Sequence, residues 1–324
     1  MLSAEIFWPR HYEVPALLKR ANIQYWDLPT GSRIAYTLVS AKGSKKSAPI
    51  LYLHGGPGGP ISDGNIQTLS PLSEDGYDVY LYDQIGGGFS DRLENIEDYT
   101  ADRHKRDLEA IVRKMGVEKV ILIGQSWGAI LATLFVADNP EKIEKIIFTG
   151  PGPIQPNRPE LKMLKAPDSL QLRVPNFSNA RGNQKANNVR TKTMSFFATT
   201  FGVKMASDKE ADDFATYLSA ELNKSVVCDT TKFPPTSGGG GYYVQQLTVK
   251  SFNQIQDPRP KLKTVQCPVL VMKGQCDSQK WGFTKEYLEI FPQSQLVVIP
   301  NAGHAIAFEQ PELYLKTIRE FLNP

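Results

Sequence analysis

Three segments follow one another without a spacer: the apolar run Lys119-Val-Ile-Leu-Ile123, the pentad Gly124-Gln125-Ser126-Trp127-Gly128, and the apolar run Ala129-Ile-Leu-Ala-Thr-Leu-Phe-Val-Ala137. A run of strand length, a five-residue turn and a run of helix length specify a buried strand, a sharp bend and a buried helix. The two glycines are a steric requirement, because a turn this tight brings backbone too close for a Cβ. Ser126 then sits at the apex of a strained bend with its hydroxyl presented outward, as a nucleophile is. The pentad alone fits a structural turn as well; the flanking strand and helix favour the nucleophile.

A glycine loop, His54-Gly55-Gly56-Pro57-Gly58-Gly59, follows another apolar run, Pro49-Ile-Leu-Tyr-Leu53. Such a loop at a strand end can offer an N–H to a developing oxyanion, which must approach the main chain to about 3 Å. The expected donors are the amides of Gly56 and of Trp127, the residue after the serine. A phosphate-cradling loop is the competing reading, and it lacks the Lys-Ser/Thr that a nucleotide loop carries.

Only four histidines compete for the role of general base. His11 lies in an arm beside prolines, His54 opens the glycine loop and braces it, and His104 lies in the charged stretch Asp102–Asp107, read as a solvated helix face. His304 remains, in Pro300-Asn-Ala-Gly-His304 directly after the strand-like Gln295-Leu-Val-Val-Ile299. Asp277 occupies the matching place after Cys267-Pro-Val-Leu-Val-Met-Lys-Gly274, 27 positions before His304, room for one helix and one strand. An isolated loop aspartate is ordinarily a turn residue. The order Ser126, Asp277, His304 along the chain assigns it instead to orienting the base.

His54-Gly-Gly-Pro-Gly58, Asp83-Gln84-Ile-Gly-Gly-Gly-Phe-Ser90 and Gly124-Gln-Ser-Trp-Gly128 together resemble the signatures of the proline iminopeptidase family. Those enzymes are serine exopeptidases of the α/β-hydrolase superfamily that remove an N-terminal residue, often proline; relatives act as amidases or general hydrolases. The resemblance covers roughly residues 25–150 and 262–322. It implies an α/β-hydrolase fold, a Ser126–His304–Asp277 triad working through an acyl-enzyme, and no metal or organic cofactor. It also implies a cap with a tryptophan-rich stretch ending in a glutamate that grips the substrate amine. Here all four tryptophans (Trp8, Trp26, Trp127, Trp281) lie outside the cap, and Ile85 replaces the usual residue after Asp-Gln. Glu221 lies at a comparable distance after Ser126 and is the residue to which the resemblance points for amine binding.

Eight strand-like segments, at 23–28, 33–39, 50–53, 78–82, 119–123, 144–149, 268–273 and 295–299, alternate with helical ones after an initial hairpin. The expectation is an α/β fold with a mostly parallel eight-stranded sheet flanked by helices. Between Pro151-Gly-Pro153 and Asp257-Pro-Arg-Pro260 the alternation stops, so residues 1–150 and 262–324 read as the core and 151–261 as an inserted, mainly helical cap. Helices are expected at 189–201 and 208–223, and the Gly238–Gly241 run reads as a flexible segment.

A net charge of +3 argues against nucleic acid and against an anionic membrane surface. No segment approaches the ~20 apolar residues of a membrane span, and Met1–Arg10 lacks the basic start and apolar centre of a signal peptide. Three cysteines without metal spacing suggest free thiols in a reduced, cytoplasmic protein. The expected partner is a small-molecule or short-peptide substrate. A general carboxylesterase or amidase and a carbon–carbon bond hydrolase are alternative reactions on the same triad, and a ligand receptor is the alternative from outside catalysis.

Overall fold

The computed structural model describes residues 6–323; Met1–Glu5 of the N-terminal stretch read above, and Pro324, lie outside the described residues. Eight strands form one sheet: β1 (Ile23–Asp27), β2 (Arg33–Val39), β3 (Ile50–Leu53), β4 (Val79–Tyr82), β5 (Val120–Gln125), β6 (Ile143–Thr149), β7 (Val269–Gly274) and β8 (Ser294–Ile299). Their spatial order is β1-β2-β4-β3-β5-β6-β7-β8. β2 pairs antiparallel with β1 and with β4, and every later pairing is parallel. Parallel neighbours require crossovers over the sheet faces, so β3 and β7 are buried along their whole length and read as continuous apolar runs, with Lys273 the exception.

Successive side chains of β5 feed two cores. Val120 and Leu122 pack with the helices Ala101–Met115 and Trp127–Asp138, while Ile121 and Ile123 pack with the carboxyl-terminal helix Pro311–Leu322. The helix Trp127–Asp138 is apolar all round and buried from Trp127 to Ala137, which is what a helix between a sheet and a covering layer requires.

The β6–β7 connection carries the helices Asn179–Ala186, Val189–Phe201, Asp208–Leu222 and Tyr242–Lys250, and no strand among the described residues. Two of these match the helical expectations. The Gly238–Gly241 run does not behave as a flexible segment. Gly241 N donates to Gly58 O at 2.7 Å, and Gly88 N donates to Gly239 O at 2.8 Å. A Cβ on Gly241 would stand 2.0 Å from Gly86 O, and one on Gly58 would stand 2.4 Å from Gly241 O. The glycines permit backbone to lie directly on backbone, across three glycine-rich segments remote in sequence.

The cysteine expectation is also corrected. Cys228 and Cys276 form a disulfide with Cα atoms 5.3 Å apart, and Cys267 stays free. Folding lays residues 226–229 over the loop after β7, a proximity that a separation of 48 residues conceals. Ala305 N donates to Val226 O at 2.7 Å, and Glu309 Oε1 accepts from Cys228 N at 2.8 Å.

Candidate active site

Ser126, Trp127, Gly56, Asp277 and His304 all emerge from strand carboxyl ends, where a parallel sheet gathers loops at one edge. At the end of β5 Ser126 adopts φ 54°, ψ −112°, a conformation a serine holds only when its surroundings impose it. They do so by contact. A Cβ on Gly128 would lie 1.9 Å from Leu53 O, and one on Gly124 would lie 2.7 Å from Gly128 O. The Ser126 amide is fixed to Thr149 O of β6 at 3.1 Å.

Asp277 follows β7 and is fully buried. Its Oδ1 accepts from His304 Nδ1 at 3.0 Å and from Gln279 N at 2.9 Å. That bond assigns the proton to Nδ1 and leaves Nε2 of His304 with its lone pair. Burial raises the Asp277 pKa, but the Lys273 ammonium, 3.6 Å away, and the bonds to His304 and Gln279 outweigh it and hold the carboxyl at about 2. Lys273 escaped the sequence reading. Its signal was a single lysine inside an otherwise apolar strand, where an unpaired charge would be untenable.

Gly150 joins the two halves of the site. It follows Thr149, which holds the Ser126 amide, and a Cβ on it would lie 2.9 Å from His304 Nδ1 and 3.2 Å from Asp277 Oδ2. The glycine loop closes the opposite side, since a Cβ on Gly55 would be 3.3 Å from the Ser126 Cβ. Gly56 has φ 129°, open to glycine alone. No backbone carbonyl among the described residues accepts from the amides of Gly56 or Trp127.

One side chain ties the three glycine-bearing motifs together. Gln84 Nε2 donates to His54 O at 3.0 Å, and Gln84 Oε1 accepts from Trp127 Nε1 at 2.6 Å. The Gln84 amide donates to His54 Nε2 at 3.0 Å, so the His54 ring donates from Nδ1 to Gly55 O at 2.7 Å. Burial lowers the His54 pKa, and the neutral ring is a brace. Beside it, Asp83 binds Arg20 through two bonds of 2.9 and 2.8 Å and accepts from Ile61 N and Phe89 N at 2.7 and 2.9 Å.

The Trp127 indole is buried, stacked 5.4 Å from Phe252 and edge-on to His104 at 5.5 Å. His104 is therefore not on a solvated face. It is 2% exposed, bonded through Nε2 to Thr248 Oγ1 at 3.1 Å, and burial drives its pKa down to about 3. The charged residues around it in sequence concealed that one stripe of the helix, Arg103, His104 and Asp107, turns inward.

Glu221, the residue to which the resemblance points for amine binding, is engaged within the β6–β7 connection. It pairs with Lys185 at 2.7 Å, joining two helices of the β6–β7 connection. A cavity of about 770 Å³ opens beside His304 and Gln125, and Glu221 is not part of its wall.

The profile of the alpha/beta hydrolase fold family matches residues 48–311. The chain is 27% identical over 301 residues to a proline iminopeptidase of Heyndrickxia coagulans, covering 91% of this chain and 96% of that one. A proline iminopeptidase of Saccharolobus solfataricus is 25% identical over 297 residues, 90% of each chain. Among solved structures, a thermophilic esterase from Thermogutta terrifontis superimposes with a TM-score of 0.64 at 20% identity, over 93% of this chain and 98% of that one, a likeness of fold. With its profile matched from β3 through β8 and its near full-length resemblance to known hydrolases, the chain belongs to the alpha/beta hydrolase family of enzymes.

Proposed function

We propose that the protein is a serine hydrolase working through an acyl-enzyme, with Ser126 as nucleophile, His304 as base and Asp277 as the group that orients it. The observation that carries this reading is the 3.0 Å bond from His304 Nδ1 to Asp277, on loops that converge on a serine in a strained bend. A free serine hydroxyl is too weakly acidic to attack a carbonyl at neutral pH. His304 Nε2 takes its proton as the Oγ–carbonyl bond forms, and Asp277 stabilises the resulting imidazolium. The amides of Gly56 and Trp127, free of backbone partners, receive the oxyanion, each contributing roughly 3 kcal/mol to lowering the barrier. His304 returns the proton to the leaving amine or alcohol, and water, activated the same way, releases the acyl group. Residues 151–261 act as the cap that excludes bulk water and selects substrates.

Side-chain geometry favours an ester or amide with an uncharged acyl group. The carboxylates of the cap are committed elsewhere: Glu210 to Arg190, Asp212 to Arg92, Asp213 to Lys209, Asp208 to Lys204 and Glu221 to Lys185. Glu160, Asp168 and Asp229 face solvent. A second reading, release of an N-terminal residue with proline first, is favoured by the near full-length similarity to proteins named proline iminopeptidase.

An active-site fluorophosphonate should label the wild type and not Ser126→Ala, whose turnover should vanish. A labelled Ser126→Ala protein ends the proposal. On the wild type, a short p-nitrophenyl ester should outrun proline-naphthylamide in kcat/KM; the reverse establishes the exopeptidase.

A further inference from the structure

We infer that the cavity beside His304 is an acyl-binding subsite, and that it takes an uncharged, mainly apolar group larger than a single amino-acid side chain. The inference rests on the serine hydrolase reading and names the substrate class of that site. At about 770 Å³ the cavity lies within the roughly 300–1,000 Å³ that holds a drug-sized ligand. Its wall includes His304, the proposed base, and Gln125, the residue preceding the nucleophile. A group bonded to the carbonyl under attack can therefore extend into it.

The walls set the chemistry. Leu17 of the N-terminal arm, Thr68 of the helix Asp63–Leu69, Pro235 of the cap and Ile306 after the histidine loop line it, from four separate parts of the chain. The charges there are spoken for or peripheral. Arg20 reaches the wall, but its guanidinium is bound to both oxygens of Asp83 and to Ile61 O at 3.0 Å. Asp63 and Glu312 are exposed residues in the first turns of their helices. The polar groups beside Gln125 are neutral: Tyr52 donates to Gln125 Oε1 at 3.1 Å and accepts from Asn65 Nδ2 at 3.3 Å. A protonated amine desolvated away from the rim, where the exposed Asp63 and Glu312 sit, has no carboxylate to offset it, whereas each buried methylene contributes about 0.8 kcal/mol.

The test is a series of p-nitrophenyl esters from acetyl to decanoyl, with 6-aminohexanoyl set against hexanoyl, on protein whose Ser126 labelling has been measured in parallel. The wild type should gain at least tenfold in kcat/KM from acetyl to octanoyl and prefer hexanoyl to its amino analogue at least tenfold. Thr68→Trp, which fills the cavity, should lower the octanoyl-to-acetyl ratio at least tenfold. Leu17→Ala, which enlarges it, should shift the optimum to longer chains and guards against a folding defect in the first variant. Labelled protein with a flat or falling chain-length profile, or with equal turnover of the amino analogue, overturns the subsite alone. Unlabelled wild type overturns both the subsite and the hydrolase reading.

Discussion

The loops at the sheet edge and the connection that covers them are held by different forces. Around Ser126 the restraint is steric and carried mainly by a contiguous run, a strand, two glycines and an apolar helix, pressed against the neighbouring strands at Leu53 O and Thr149 O. The connection between β6 and β7 is held by pairings between distant residues. Arg190 and Glu210 form a buried ion pair between neighbouring helices, Cys228 is bonded to Cys276, and Gly239 and Gly241 hydrogen-bond to the glycine loops of the core. The sheet-edge loops of this chain are written in short motifs, and the β6–β7 connection in long-range contacts.

If that division is correct, the largest loss of rate comes from the core, without loss of fold. Asp277→Asn keeps the shape of the acid but presents an amide to His304 Nδ1 and favours the wrong tautomer. A fall in kcat of about 10⁴ with KM little changed is expected, measured on whichever ester the wild type turns over best. A loss below tenfold removes Asp277 from the machinery.

The connection, by contrast, should show its largest effects in stability. Opening the Cys228–Cys276 bond, which closes a separation of 48 residues, should cost about 2–4 kcal/mol. Calorimetry with and without a dithiol reads this directly, and Cys228→Ser should reproduce it. An unchanged Tm means that residues 226–229 stay docked through Glu309 and Ala305 alone. Next in size is Gly241→Ala. Its methyl would meet Gly86 O at 2.0 Å, and relieving that overlap should cost about 1–3 kcal/mol and loosen the loop behind Gly56. A silent Gly241→Ala would return the glycine run to the linker role that its sequence suggests.

The core was legible because its signals are short. The strand ends, the serine bend and the loops that carry Asp277 and His304 all follow from runs of fewer than about ten residues read with known periodicities. His104, Gly238–Gly241 and the two bonded cysteines were misread for one shared reason. Each is defined by a partner far away in sequence, Thr248, Gly58 and Cys276, and composition around it points toward solvent, flexibility or reduction. Gln84 stands between these cases: its motif was visible, but its bridge from His54 to Trp127 was not.

His104 gives the comparison a pH axis. Burial keeps it neutral, with its pKa lowered from 6.5 to about 3. The unfolded chain therefore binds the extra proton between those values, so stability is fully present above about pH 6.5 and is lost as pH falls toward 3. The slope contributed by this one residue is at most about 1.4 kcal/mol per pH unit. His104→Gln can keep a bond to Thr248 without titrating, and it should flatten the acid limb of the Tm–pH curve. An unaltered limb would assign the acid sensitivity to His54 and other groups.

The smallest effect should come from Glu221, although the family resemblance singles it out for gripping the substrate amine. Its carboxylate meets Lys185 at 2.7 Å between two helices of the connection, and it does not reach the cavity beside His304. The lysine is mostly solvent-exposed, and a pair of that kind contributes little to folding. Glu221→Gln keeps the volume and one hydrogen bond to Lys185 while removing the charge. Tm should move by less than about 2 °C. If the amine of an aminoacyl substrate were bound here, KM for proline-naphthylamide would rise at least tenfold while simple esters were unaffected, since losing a charged partner costs more than losing a neutral one. The expected result is a change below twofold for both substrates. A selective rise in KM would show that the two helices part on binding to release Glu221 from Lys185, and would place amine recognition in the connection after all.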